Sequence, residues 1–89
     1  MENQQANAVS QVDKLKSVFI SALRIPSGVD VVNLEYRGIP QWDSMAHVGL
    51  IADLETAFDV MLKTDEVLAL SSFAKAKEIL RSHGIEFES

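Results

Sequence analysis

Few side chains in this 89-residue chain could do chemistry, and the most pointed group is Trp42-Asp43-Ser44-Met45 with His47 one turn further on. The group stands where a stretch holding Pro26, Gly28, Gly38 and Pro40 gives way to the apolar run of a helix. Ser44, an imidazole from His47 or His83, and the Asp43 carboxylate have the residue types of a hydrolase triad. Their spacing argues against one. Gly-x-Ser-x-Gly is absent, and Asp43 is the serine's own neighbour, badly placed to orient a histidine. Two histidines thirty-six residues apart make no recognisable metal site. With no cysteine there is no thiol nucleophile, no disulfide and no thiolate metal site. Taken by itself, Ser44 is an ordinary residue of a helix N-terminus, where serine is favoured.

The elements that must position these residues are helical. Residues 1–8 lack an apolar period and are expected to be disordered, and 86–89 to fray. Residues 9–85 are left as a single domain, since a chain this short has no room for a second. Ser10-Gln11-Val12-Asp13 has capping-box spacing, with Asp in place of Glu. Val12, Leu15, Phe19 and Ala22 then recur at helical spacing, predicting a helix from about Ser10 to Leu23, ended before Pro26 and Gly28.

Between Arg24 and Asp43, Val29-Asp30-Val31-Val32 could pass for a short strand, but no second candidate exists to pair with it. Twenty residues without regular structure are tolerable only if the loop packs itself down or has a function. This one has Val29, Val32, Leu34, Tyr36, Ile39 and Trp42 to bury. Trp42 is expected to anchor the loop on the helices.

Asp43 is a good N-cap for a second helix, with Ser44 in its first turn and Phe58 as its last clear core position. Thr64 is expected to cap a short third helix over Val67-Leu68-Ala69-Leu70, with Asp65 and Glu66 in its positive first turn. Ser71 or Ser72 caps a fourth, whose buried stripe is Phe73, Ala76, Ile79 and Leu80. Gly84 falls where a left-handed C-terminal cap belongs, with Ile85 folding back behind it. The expected class is all-α: a small four-helix bundle of three longer helices and one short one.

On a helical wheel of the second helix, Ala57, Leu50, Leu54, His47, Phe58 and Ile51 fall within one arc roughly 120° wide, enough for a core-facing stripe. His47 is therefore expected to be a packed histidine hydrogen-bonded to the incoming loop. The remaining face is not simply polar. It carries Ser44, Met45, Val48 and Ala52, with Asp53, Glu55 and Asp59 interleaved. Such a face can be ordinary exposed apolar surface or a docking patch for a partner.

The serine, its Asp and Met neighbours and the stretch Leu50-Ile51-Ala52-Asp53-Leu54-Glu55-Thr56-Ala57-Phe58 together resemble the acyl carrier protein family, over about Val12 to Leu80. The resemblance implies a carrier rather than an enzyme. Ser44 would bear a 4'-phosphopantetheine arm taken from coenzyme A, within the motif residues Trp42, Asp43 and Met45. Acyl intermediates of fatty-acid, polyketide or related biosynthesis would ride on it as thioesters. It also implies a long packed loop before the second helix, which answers the objection to those twenty residues.

The partners implied are a phosphopantetheinyl transferase, for which the chain is a substrate, and acyl-loading and acyl-processing enzymes with basic docking surfaces. They would meet a monomer at Met45, Val48, Ala52, Asp53, Glu55 and Asp59. An aminoacyl- or peptidyl-type carrier and a non-catalytic helical adaptor are the alternatives. The chain also departs from the family pattern. Fatty-acid carriers usually have acids where Ala46 and Gly49 stand, many carriers place Gly where Gln41 stands, and the Gly-Gly common in peptidyl carriers is absent.

Charge and size bound the rest. The net charge of −5 argues against nucleic acid, which calls for a basic face. From Asp43 to Glu66 six acids (Asp43, Asp53, Glu55, Asp59, Asp65 and Glu66) face one base, Lys63, so this stretch holds the whole net charge. On charge alone it reads as a solvated helix face, with the steering of a basic partner as the alternative. No apolar run approaches the ~18–20 residues of a membrane span, and Met1-Glu2-Asn3-Gln4-Gln5 lacks the marks of a signal peptide. The expected setting is cytoplasmic. A domain of this size buries about 60–68% of its unfolded surface, which allows a compact core but hardly a deep pocket.

Overall fold

In the computed structural model, which describes residues 10–87, four helices follow one another: α1 (Gln11–Leu23), α2 (Ser44–Phe58), α3 (Thr64–Ala69) and α4 (Phe73–Ser82). The chain is all-α, with no strand among the described residues. The expected disorder of 1–8 lies outside the described residues, as do 88 and 89 of the tail.

Local rules place most of the boundaries. Ser10 Oγ accepts the Asp13 amide at 3.1 Å and opens α1. Leu15, Phe19 and Leu23, four residues apart, form its buried edge. The helix stops at Arg24, which is left-handed at φ 53° while the Ile25 amide reaches back to Ile20 O at 3.1 Å. The same closure ends α2, with Asp59 at φ 53° and Val60 bonded to Glu55 O. Neither left-handed residue is the usual glycine. At the end of α4 a glycine does serve, Gly84 at φ 94°, with the Ile85 amide on Leu80 O.

Two boundaries differ from the reading above. Helix α3 starts one residue earlier than a Thr64 cap implies, with Lys63 at the N-cap position. The Glu66 carboxylate accepts the Lys63 amide at 2.9 Å, the half of a capping box that reaches back from the first turn to the N-cap residue. Of the two serines before α4, Ser72 is the cap, accepting the Lys75 amide at 2.9 Å.

The long connection packs down by burying Ile25, Val31, Leu34 and Trp42 around a single 3-10 turn, Val31–Asn33. That turn occupies the segment that could have passed for a strand, and it leaves Val32 exposed. Strand-like pairing occurs four residues later, as an isolated bridge between Glu35 and Ser72. There the Tyr36 amide donates to Ser71 O at 2.8 Å and the Phe73 amide to Leu34 O at 2.9 Å. The partner absent from the sequence pattern is thus the α3–α4 connection. Gly38 closes the loop tightly: its amide donates to Glu35 O at 2.7 Å, and a Cβ there would stand 2.8 Å from that same oxygen.

Phe19 sits at the centre of the core. Its ring meets Trp42 edge-on at 5.5 Å and Phe73 at 5.1 Å, joining α1, the loop and α4. Phe87, in the tail, is half-buried against Phe58, ring centroids 6.2 Å apart, with the Arg81 guanidinium over it. No helix among the described residues is long and apolar enough to cross a membrane.

Candidate functional site

The loop delivers the chain to α2 in a fixed direction. Trp42 is fully buried, and its amide and carbonyl are held by Ile39 O and the Arg37 amide. Asp43 follows in extended geometry, and its Oδ1 accepts the Ala46 amide at 2.9 Å. Because Asp43 does the capping, Ser44 is the first helical residue and its hydroxyl is not needed for the helix. That hydroxyl is exposed and has no hydrogen-bond partner among the described residues. It also lies at the positive end of a fifteen-residue helix, where phosphate groups are electrostatically favoured.

His47 is packed as expected and bonded to the incoming loop. The Trp42 indole N–H donates to its Nδ1 at 3.0 Å, and the two rings stack at 6.0 Å. An indole nitrogen is only a donor, so Nδ1 must be the bare nitrogen and the proton sits on Nε2. Nε2–H then donates to Val67 O in α3 at 2.9 Å. Both imidazole nitrogens are therefore engaged, and neither is left to take a proton from Ser44. His83 is committed elsewhere, with Nε2 at 2.9 Å and 3.0 Å from the two oxygens of Glu66. The Lys63 amide, and after it the His83 hydrogen bond, hold the Glu66 carboxyl below its ordinary value, against an opposing pull from partial burial. Among the described residues no cluster of metal-ligating side chains occurs.

Beside Ser44 lies a half-open cleft of about 270 Å³. Tyr36, Ser44, His47, Val67, Leu68 and Leu70 line it. Its surface is mainly apolar, and the serine hydroxyl stands at its edge.

The proposed docking residues differ in exposure and surroundings. Met45 is 83% exposed and Val48 70%, with Ala52 and Asp59 also open to solvent. The wheel separated them correctly from Leu50, Ile51, Leu54 and Phe58, all buried. Asp53 is exposed but lies on the side of α1, lining a shallow groove with Lys14 and Ser17. Glu55 is half-buried, and its Oε2 accepts the Leu62 amide at 2.9 Å. That carboxylate fastens the segment after α2. Asp59 likewise has a structural place, as the left-handed cap.

Three exposed apolar residues escaped the sequence reading, Ile20 at 43%, Met61 at 82% and Leu68 at 79%. Leu68 lines the same cleft as Ser44. In a six-residue helix an apolar period does not distinguish it from half-buried Val67, so no signal in the sequence marks it. Compared with family models, with curated proteins and with solved structures, the chain matches none.

Proposed function

We propose that this protein is an acyl carrier, whose Ser44 Oγ accepts 4'-phosphopantetheine from coenzyme A under the action of a separate transferase. One observation carries this reading beyond the sequence resemblance. In the Asp43-Ser44-Met45 motif, Asp43 alone caps the helix, so the serine hydroxyl is exposed and unengaged at the N-terminus of α2.

The residues present fit such a group. In the transfer, Ser44 Oγ forms a bond to phosphorus, the pyrophosphate bond of coenzyme A breaks, and the nucleotide half leaves. The resulting phosphodiester would lie at the positive end of α2, close to its first amides. When attached, the arm supplies a thiol for thioester formation, a group that this chain, without cysteine, does not have. The apolar cleft edged by Ser44 gives a carried acyl group somewhere to leave water. Met45 and Val48, exposed beside Ser44, offer a partner close apolar contact. The acids from Asp43 to Glu66 draw in basic partners at long range.

Incubation with coenzyme A and a broad-range phosphopantetheinyl transferase, followed by intact-mass measurement, tests the proposal. Wild type should gain one phosphopantetheine, and Ser44→Ala none. Because the Ser44 hydroxyl makes no contact that the fold needs, Ser44→Ala should melt close to wild type, so a lost modification cannot be assigned to unfolding. Wild type that stays unmodified while a known carrier is converted in the same mixture overturns the proposal and leaves the adaptor reading.

A further inference from the structure

Sulfur in this chain is carried by methionine alone, since there is no cysteine. The described residues hold two, Met45 and Met61. Methionine is ordinarily a core residue, yet these two are 83% and 82% exposed. Neither takes part in the core that joins Leu15, Phe19 and Trp42 to Leu54 and Phe73. Both thioethers are therefore open to oxidants in the surrounding water.

A hydroperoxide oxidises such a thioether to the sulfoxide, which turns a flexible apolar side chain into a polar one. The sulfur attacks the terminal peroxide oxygen, so that an S–O bond forms while the O–O bond breaks. Sulfur gives up two electrons. The proton on the transferred oxygen passes to the leaving one, which departs as water or an alcohol. No group of the protein is needed. Sulfoxide reductases reverse the change, one for each epimer, drawing two electrons from thiols that become a disulfide and releasing water.

The two sites differ in what oxidation would alter. Met45 follows Ser44 in the first turn of α2 and lines a shallow groove with Arg24, Gln41, Asp43 and Ala46. Val48, three residues on and also exposed, stands on the same side of the helix. Met61 lies beyond the other end of α2, a helix about 22 Å long over its fifteen residues. There the buried contact is made by its neighbour Leu62.

We propose that Met45 is a site of reversible oxidation by hydroperoxides, whose sulfoxide closes the apolar face beside Ser44 to partners, whereas oxidation of Met61 is silent. Neither side chain is packed in the core, so the oxidised protein keeps its fold. At Met45 the added S–O group must be desolvated whenever a partner packs there, and apolar contact is replaced by an unpaired polar group. Oxidation at Met45 rests on exposure alone; its effect on phosphopantetheine transfer rests on the carrier reading above.

Treating the full chain with hydrogen peroxide, mapping the added oxygen by peptide mass, and then offering coenzyme A and the transferase tests both halves. Met45 and Met61 should oxidise at rates within about twofold of each other and of the urea-unfolded chain, because exposure sets the rate. The melting temperature should not fall. Oxidised wild type should accept phosphopantetheine roughly fivefold or more slowly than untreated protein, as loss of a central apolar contact brings, and the reductases should restore the rate. Each variant is compared with its own untreated sample. Met61→Leu should slow on oxidation as wild type does, and Met45→Leu, which keeps Met1 and Met61, should not respond. Met45 oxidising much more slowly than Met61 overturns the site. Oxidised wild type that stays as fast as untreated protein, or Met45→Leu that slows as much as wild type, overturns the effect and leaves the carrier reading standing. Untreated wild type that takes no phosphopantetheine overturns the carrier reading and the effect on transfer with it, while the oxidation map still decides the site.

Discussion

The Trp42 indole and Val67 carbonyl are joined through one imidazole: Trp42 donates to His47 Nδ1 at 3.0 Å, and His47 Nε2 donates to Val67 at 2.9 Å. Three elements, the long loop, α2 and α3, are thereby tied together next to Ser44. All three linked residues are fully or half buried, so breaking a link leaves a polar atom without water to replace it.

Trp42→Phe keeps an aromatic ring in the core but strips His47 Nδ1 of its donor and leaves a small void. The expected loss is about 1–3 kcal/mol, with the unpaired nitrogen and the missing ring atoms both contributing. Urea denaturation measures it. A loss below about 0.5 kcal/mol would show that the indole N–H is dispensable.

Glu66 makes a prediction with a definite sign. Its carboxyl is held below the ordinary value of about 4.3 by the Lys63 amide and His83. A group whose folded value is lowered stabilises the fold above its unfolded value, and that contribution fades as pH falls through the folded one. Glu66→Gln should therefore melt lower than wild type at pH 7, and the two curves should converge as the pH falls below the ordinary carboxylate range. Melting temperatures from pH 7 into the acid range check it, and a gap that persists after the carboxylates are protonated contradicts the assignment.

Gly49 lies inside α2, is exposed, and has nothing within 4 Å of where a Cβ would stand. Alanine there relieves the entropic cost of glycine in a helix at no steric cost. Gly49→Ala should raise stability by about 0.5–1 kcal/mol. Chemical denaturation decides, and a loss of stability would mean that the glycine serves some close approach absent from this structure.

The two arcs of α2 should separate fold from recognition. Leu54 and Phe58 are buried, so Leu54→Ala or Phe58→Ala should cost about 2–5 kcal/mol, a large part of what holds a small domain together. Met45→Gln and Val48→Gln change only exposed side chains and should stay within about 0.5–1 kcal/mol of wild type. Under the proposed function the same two changes should still slow phosphopantetheine transfer, because the transferase loses apolar contact next to the reacting hydroxyl. Thermal melts paired with transfer rates test both halves. Full transfer by both Gln variants would remove Met45 and Val48 from the docking surface.

What could be read from the sequence of this protein is what short-range rules decide. Ser10, Asp43 and Ser72 each cap the helix they precede because a short side-chain oxygen reaches an amide three residues on, and that geometry belongs to the local chain. The burial of Leu50, Ile51, Leu54 and Phe58, and the exposure of Met45 and Val48, follow from one helical period sustained over fifteen residues. Gly84 ends α4 because a left-handed turn without a Cβ penalty was available there. Tertiary structure decided the contacts whose partners lie far apart in the chain. His47 to Val67, His83 to Glu66 and Glu35 to Ser72 depend on how helices and loop are packed, which no window of residues encodes. The same reason accounts for α3. Six residues are too few for a period, so the exposure of Leu68 and the cleft that α3 lines with Ser44 exist only once α2 and α4 are in place around it.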